Sequence, residues 1–279
     1  MSTSTSSLFH YTKDLDTLKS ILDNGLWPNY CDETFKTSKG QYVLGIPMVS
    51  FCDIPLSKTE DFRERYGSYG IALRKDWGIQ KGINPILYVT NDNIFYSLSF
   101  YRTVAADLWN KAKEQGLVEG NYRVKLDLRD FNNKKEAFID GCNSLHAQDH
   151  NNTIAGFLKP YATTKDDSST LENYMENEWR YVVSDAEKTP WLPSKAEYDQ
   201  WRGNTKDPKP EPPDAIKEKK LVFTVDDITH LIIKEEAELN DIISDLNART
   251  HLCGQPLNGQ DRAKLLSKIR CLDRIKVDF

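Results

Sequence analysis

The chain has 279 residues, 39% hydrophobic and 11% aromatic, with a net charge of −5 and an isoelectric point near 5.6. This supports a real core in one large or two small domains, and it excludes a global basic field; a nucleic-acid partner would need a local basic patch. The five cysteines (Cys31, Cys52, Cys142, Cys253 and Cys271) form no CxxC pair, no apolar run nears the ~20 residues of a membrane span, and the N-terminal Ser/Thr tract lacks the parts of a signal peptide; a soluble cytoplasmic protein with reduced thiols and no zinc site is expected.

Residues 8–12 (LFHYT) read as a short strand of strong β-formers. Asp14 is placed to cap a helix whose Leu15, Leu18, Ile21 and Leu22 share one face, and Asn24-Gly25 ends it. Residues 28–41 read as a polar loop. Strands are expected around 42–46, 47–54 (ended by Pro55), 71–74 and 86–90, and a long helix over 94–115. Residues 117–150 are ambiguous, and 153–160 return to an apolar pattern. Residues 186–219 carry Pro190, Pro193, Pro208, Pro210, Pro212 and Pro213 and read as a long loop. Strands follow at 220–224 and 231–234, helices at 235–246 and 260–269, and a last strand at 273–279. The pattern is α+β, as one domain over 1–279 with insertions at about 115–152 and a Pro-rich loop at 186–219.

The stretch Tyr174–Val183 stands out, because it sets Glu176 and Glu178 at the mouth of an apolar run. On a strand, i and i+2 share a face. Two carboxylates on one face of a buried strand are costly unless something uses them or, as Arg180 offers, pairs with them. Cys52 lacks an evident base, which argues against a thiol enzyme. His146, Asp149 and His150 have a spacing that a metal tolerates, but their polar surroundings favour a solvated loop, so no metal is expected. Trp191 and Trp201, in the Pro-rich stretch, either dock a partner or fold back on the domain.

Three pieces in order carry a resemblance. Phe9-His10-Tyr11-Thr12, a helix and Asn24-Gly25-Leu26 come first. Val49–Asp53 with Tyr66 and Tyr69–Leu73 come second, and Glu176-Asn177-Glu178-Trp179-Arg180 third. Together they resemble the ADP-ribosyltransferase-like fold of DarT-type and tRNA 2′-phosphotransferase-like members, with two small mixed or antiparallel sheets. The run Pro47–Ser57 and Leu158-Lys159-Pro160-Tyr161 further resembles the AbiGi-type abortive-infection family of phage defence. CmdT-type RNA-directed toxins of toxin–antitoxin–chaperone systems are similar as well.

The resemblance implies a toxin that transfers ADP-ribose from the co-substrate NAD to an acceptor, with RNA favoured over DNA or protein. An antitoxin or chaperone would be its partner, and no membrane is involved. Glu178 would stabilise the oxocarbenium-like ribose and Glu176 would face the acceptor. His10 would bind a ribose hydroxyl, with Tyr11 and Thr12 holding the nicotinamide amide and Ser50 supporting the site. Tyr66 or Tyr69 would stack on the nicotinamide, and Arg63 or Arg65 would pair with the pyrophosphate. Lys134-Lys135 and Lys217–Lys220 are the local basic runs available for nucleic acid. The alternative is a non-catalytic, antitoxin-like interaction protein.

Overall fold

The computed structural model describes residues 5–37, 40–58, 65–90, 92–119, 123–127, 129, 131–164, 170–183, 191–192, 194–203 and 209–278. Its strands are β1 (Ser7–Thr12), β2 (Asn29–Thr37), β3 (Gly40–Cys52), β4 (Tyr69–Arg74), β5 (Asn84–Pro85), β6 (Leu87–Val89), β7 (Val118–Glu119), β8 (Arg123–Val124), β9 (Leu158–Pro160), β10 (Ala162–Thr164), β11 (Thr170–Glu172), β12 (Glu178–Val182), β13 (Ile228–Ile233), β14 (His251–Leu252), β15 (Gln255–Pro256) and β16 (Ile269–Cys271). Its helices are α1 (Leu15–Asn24), α2 (Lys75–Gln80), α3 (Asp92–Glu114), α4 (Phe131–Gly156), α5 (Lys195–Arg202), α6 (Asp214–Lys217), α7 (Leu239–Ala248), α8 (Gly259–Ser267) and α9 (Leu272–Asp278).

The mixed α+β class is as expected, but the sheet arrangement differs. Among the described residues there is one eight-stranded sheet, β16-β13-β4-β1-β3-β12-β5 with β2 also on β3, and four two-stranded ones, in place of two small sheets. The long β3 makes this possible. Its first part pairs with β2 on one edge, and its last part, Met48–Cys52, pairs with β12 on the other. β1 meets β3 at a single pair, Phe9 with Cys52, so the sheet forks there.

Strand alternation separates two faces. Leu8, Val49, Phe51, Ile71, Leu73, Leu231 and Ile233 face one way, under Leu18 and Leu22 of α1, Trp77 of α2, Ile242 and Leu246 of α7 and Leu265 of α8. Asp14 caps α1 by accepting from Thr17 N, and Gly25 ends it at φ 82°. A Cβ at Gly25 would lie 2.5 Å from Leu221 O, so glycine is required by both conformation and space. The other face carries two apolar patches. Phe9, Ala72 and Ile232 pack with Leu272 of α9, while Phe35, Leu44, Ile46 and Met48 pack with Val89, Ala155, Leu158 and Trp191.

α3 and α4 form an antiparallel hairpin with a seam of small residues. Ala105, Ala112 and Ser144 are fully buried, Ser144 Oγ donates to Ala105 O at 2.5 Å, and a Cβ at Gly141 would lie 2.8 Å from Ala112 Cβ. This close approach accounts for the weak sequence pattern of 117–150. The seam uses alanine, serine and glycine, which carry little hydrophobic periodicity. The side chains of His146, Asp149 and His150 lie outside the described residues.

Four other expectations are corrected. Residues 28–41 include the strand β2, whose polar residues pair along β3 from Asn29 to Thr37. Residues 220–224 form no strand, only an isolated bridge from Leu221 to Leu26. In place of the last strand expected at 273–279, Leu272–Asp278 is helical. The Pro-rich stretch contains α5 and α6 and folds back on the domain. Tyr198 and Ile216 are buried against Tyr30, Trp201 meets Tyr30 edge-on at 5.0 Å, and buried Trp191 donates to Val183 O at 3.0 Å. Pro190, Pro193 and Pro208 lie outside the described residues.

Candidate functional site

On the second face, between the two apolar patches, sits a cluster of paired charges. β12 contributes Glu178 and Arg180, whose cross-strand partners are Cys52 and Ser50 of β3. β2 contributes Glu33 opposite Leu44, β9 contributes Lys159, and the turn before β12 contributes Glu176. Glu33, Glu176, Glu178 and Arg180 are all at most 7% exposed.

The contacts saturate the carboxylates. Arg180 Nε donates to Glu178 Oε1 at 2.7 Å, and its Nη2 donates to Glu178 Oε2 at 3.2 Å and to Glu33. Its Nη1 donates to the carbonyls of Gly156 at 3.0 Å and Leu158 at 3.3 Å. Lys159 Nζ stands 2.8 Å from both Glu176 Oε2 and Glu178 Oε2. Glu176 Oε1 also accepts from Tyr66 Oη at 2.9 Å and faces Arg65 Nη1 at 3.0 Å. Three carboxylates therefore meet three cations, so the cluster is neutral as a whole. Burying an ion is tolerable when it is paired and hydrogen-bonded in this way.

The titration of each group follows from its neighbours. Burial pushes the Glu178 carboxyl up, but Arg180 and Lys159 outweigh it and hold it down at about 2. Glu33 is pushed up by burial, which Arg180 does not fully offset. Burial lowers Lys159, yet Glu178, Glu33 and Glu176 more than compensate and hold it high. Burial raises the Cys52 thiol, and Glu176 and Glu178 raise it further, which leaves it protonated.

The predicted residues are dispersed in an instructive way. Glu176, Glu178, Arg65 and Tyr66 converge. The two glutamates do not share a strand face, however. Glu176 belongs to the 3-10 turn Asn173–Glu176, and Asn177 at φ 42° redirects the chain before β12 begins. Lys159 brings them together. His10 lies elsewhere. It follows Phe9, which shares a row with Cys52 and Glu178, and its ring packs 5.7 Å from Phe51 on the opposite, apolar face. At the fork its Nδ1 donates to Ser50 O at 2.9 Å, because a carbonyl can only accept. Burial lowers its pKa against the raising effect of that bond, so the ring is neutral with the proton on Nδ1.

Tyr11 stacks on Phe9, Thr12 Oγ1 donates to Asp14 O at 2.9 Å, Ser50 Oγ donates to Met48 Sδ at 3.4 Å, and Tyr69 Oη bonds Glu238. Of the residues expected to hold NAD, Arg65 and Tyr66 thus meet at Glu176, while His10, Thr12, Ser50 and Tyr69 bond other groups. Arg63 lies outside the described residues. Among the described residues no group of three or more metal-ligating side chains occurs, and no helix is long and apolar enough to cross a membrane.

Sequence reading missed Lys159 and Glu33 as members of the cluster, and Tyr88, whose Oη accepts from Glu178 N at 2.8 Å. Lys159 gave the one available signal, a cation between the apolar Leu158 and Pro160. Glu33 sits in a polar run, and nothing local marks it as buried.

Comparison with known families now bears on this geometry. The model of the family described as "Putative abortive phage resistance protein AbiGi, antitoxin" matches residues 24–234. The chain belongs to the AbiGi family. The match takes in the strand, turn and hairpin residues of the charge cluster, so the cluster lies within the AbiGi region. The "Abortive phage resistance protein AbiGi" of Lactococcus lactis subsp. cremoris is 43% identical over 54 residues, 18% of this chain. That alignment covers 22% of the Lactococcus protein's length. No solved structure matches the chain, and no ADP-ribosyltransferase relative supports the transferase resemblance.

Proposed function

We propose that this chain is the antitoxin-like, non-catalytic partner in an abortive-infection system and acts by binding a toxin protein. The family description carries this reading. The site chemistry is consistent with it: the oxygens of Glu178 are engaged by Arg180 and Lys159, and those of Glu176 by Tyr66, Arg65 and Lys159. A general base or an oxocarbenium stabiliser needs a free, facing carboxylate. The net charge of −5 supplies no field for nucleic acid, which favours a protein partner.

Co-expression with the gene beside it tests the proposal. The chain alone should be harmless, should rescue cells from a toxic neighbour, and should co-purify with its product. Toxicity of the chain alone, or failure to rescue or co-purify, overturns it.

One observation favours a second reading, NAD-dependent ADP-ribosyl transfer with RNA as the first acceptor to try: Glu176, Glu178, Arg65 and Tyr66 do meet at one place. This chemistry requires Lys159 to withdraw from the glutamates. Labelled NAD with RNA, DNA and protein acceptors checks it. Transfer by the wild type that is lost in Glu178→Gln would establish the transferase and displace the binding-only reading.

A further inference from the structure

Glu178 stands where the helical hairpin joins the sheet. The chain enters α3 from β6 and leaves α4 into β9, and these two short strands pair in parallel with Tyr88 opposite Lys159. Both members of that pair reach Glu178. Tyr88 Oη accepts from Glu178 N at 2.8 Å, and Lys159 Nζ donates to Glu178 Oε2 at 2.8 Å. Arg180, already bound to Glu178, donates to Gly156 O, the last carbonyl of α4, and to Leu158 O at the start of β9. A guanidinium at a helix C-terminus also meets the negative end of the helix dipole. The base of the hairpin is therefore tied to β12 through one carboxylate and its two cations.

Away from its base the hairpin packs chiefly on itself, along Ala105, Ala112, Gly141 and Ser144, with lesser contacts to β2 and β8. Among the described residues its apolar root is small. Ala155 and Leu158 join the second-face patch, and Gly156 fits beneath Val182 and Trp191. Outward it exposes Ile94, Phe100, Val104 and Ile139. A helix pair whose contacts are chiefly with itself is an element that can open without unfolding the rest.

We infer that α3–α4 is an arm that docks on the main sheet as a unit, and that Glu178 with Lys159 and Arg180 is the latch that holds it docked. The cluster balances three negative charges with three positive ones. Removing one charge leaves a buried charge without its counterpart, and the cheapest relief is to let water into the joint by opening the arm. This goes beyond the binding reading above and holds whether or not the chain is an antitoxin.

Hydrogen exchange on the full chain tests the latch. Glu178→Gln and Lys159→Met should each accelerate amide exchange across residues 92–156 by about ten-fold or more, leaving β4 and β13 unchanged. The double variant restores neutrality and should return to within about three-fold of the wild type. Tyr88→Phe removes only the acceptor for Glu178 N and should give about three-fold faster exchange in the same segment. It carries the test alone if a charge variant does not fold. Unchanged exchange in 92–156, equal acceleration in β13, or a double variant as fast as the singles would overturn the proposal.

Discussion

The two faces of the sheet solve the same problem by opposite means. On one, Leu8, Phe51, Ile71, Leu73, Leu231 and Ile233 are covered by helices whose periodicity is plain, and apolar burial supplies the stability at roughly 25 cal/mol per Å². On the other, Glu33, Glu176, Glu178 and Arg180 are buried as fully as many core leucines, with Lys159 half-buried beside them, and pairing only offsets the cost of taking them out of water. The first face tolerates a lost methylene gradually. The second should respond sharply to loss of a single charge, because the partner left behind is buried and uncompensated. Well-packed leucine there would often be as stable or more so.

The comparison breaks most sharply at Arg180. Arg180→Met removes the cation shared by Glu33 and Glu178, and should cost about 3–5 kcal/mol in urea unfolding, more than a typical single substitution on the apolar face. A loss near ~1 kcal/mol would mean that water already enters the cluster. A smaller effect is expected at Gly156, where a Cβ would lie 2.8 Å from Val182 Cγ1 and 3.1 Å from the Trp191 ring. Gly156→Ala should cost about 1–3 kcal/mol by overpacking, with the loss confined to the hairpin side of the molecule in hydrogen exchange.

Acid separates the faces most gently. His10 has a folded pKa below its ordinary 6.5, so the stability that its neutral ring contributes is complete above 6.5 and declines as pH falls below it. Glu178 has a folded pKa of about 2 against an ordinary 4.5, so its contribution is complete above 4.5 and is lost as pH falls towards 2. Urea midpoints against pH should therefore show a shallow step below 6.5 that His10→Phe removes, and a separate decline below 4.5 that Glu178→Gln flattens. One merged transition, untouched by either change, would contradict the separation.

The apolar face was legible because its signals are local. Asp14 and Gly25 bracket α1, its Leu and Ile residues repeat at helical spacing, and β1, β4 and β13 read as apolar strands. The long α3 was legible for the same reason. The hairpin seam was not, since alanine, serine and glycine announce close packing only when a second helix is present. The Pro-rich stretch misled because proline marks a break in regular structure, while the burial of Trp191, Tyr198 and Ile216 depends on Tyr30 and Gly45, far away in sequence. At the candidate site the E-x-E spacing pointed to a meeting of two carboxylates. The meeting occurs, but through Lys159 rather than through strand alternation.

By itself the sequence determined the mixed class, the ends of several elements, the pairing of Glu176 and Glu178 at one place and membership of a phage-resistance family. These depend on residue type and short spacing. Only the tertiary structure decided that His10 faces away from Glu178, that β2, β9 and β12 pool three carboxylates and three cations, and that a helical hairpin is pinned at that point. Such facts depend on which distant strands become neighbours. Coulomb pairing in a dry interior is set by distances of a few ångströms that no local pattern encodes.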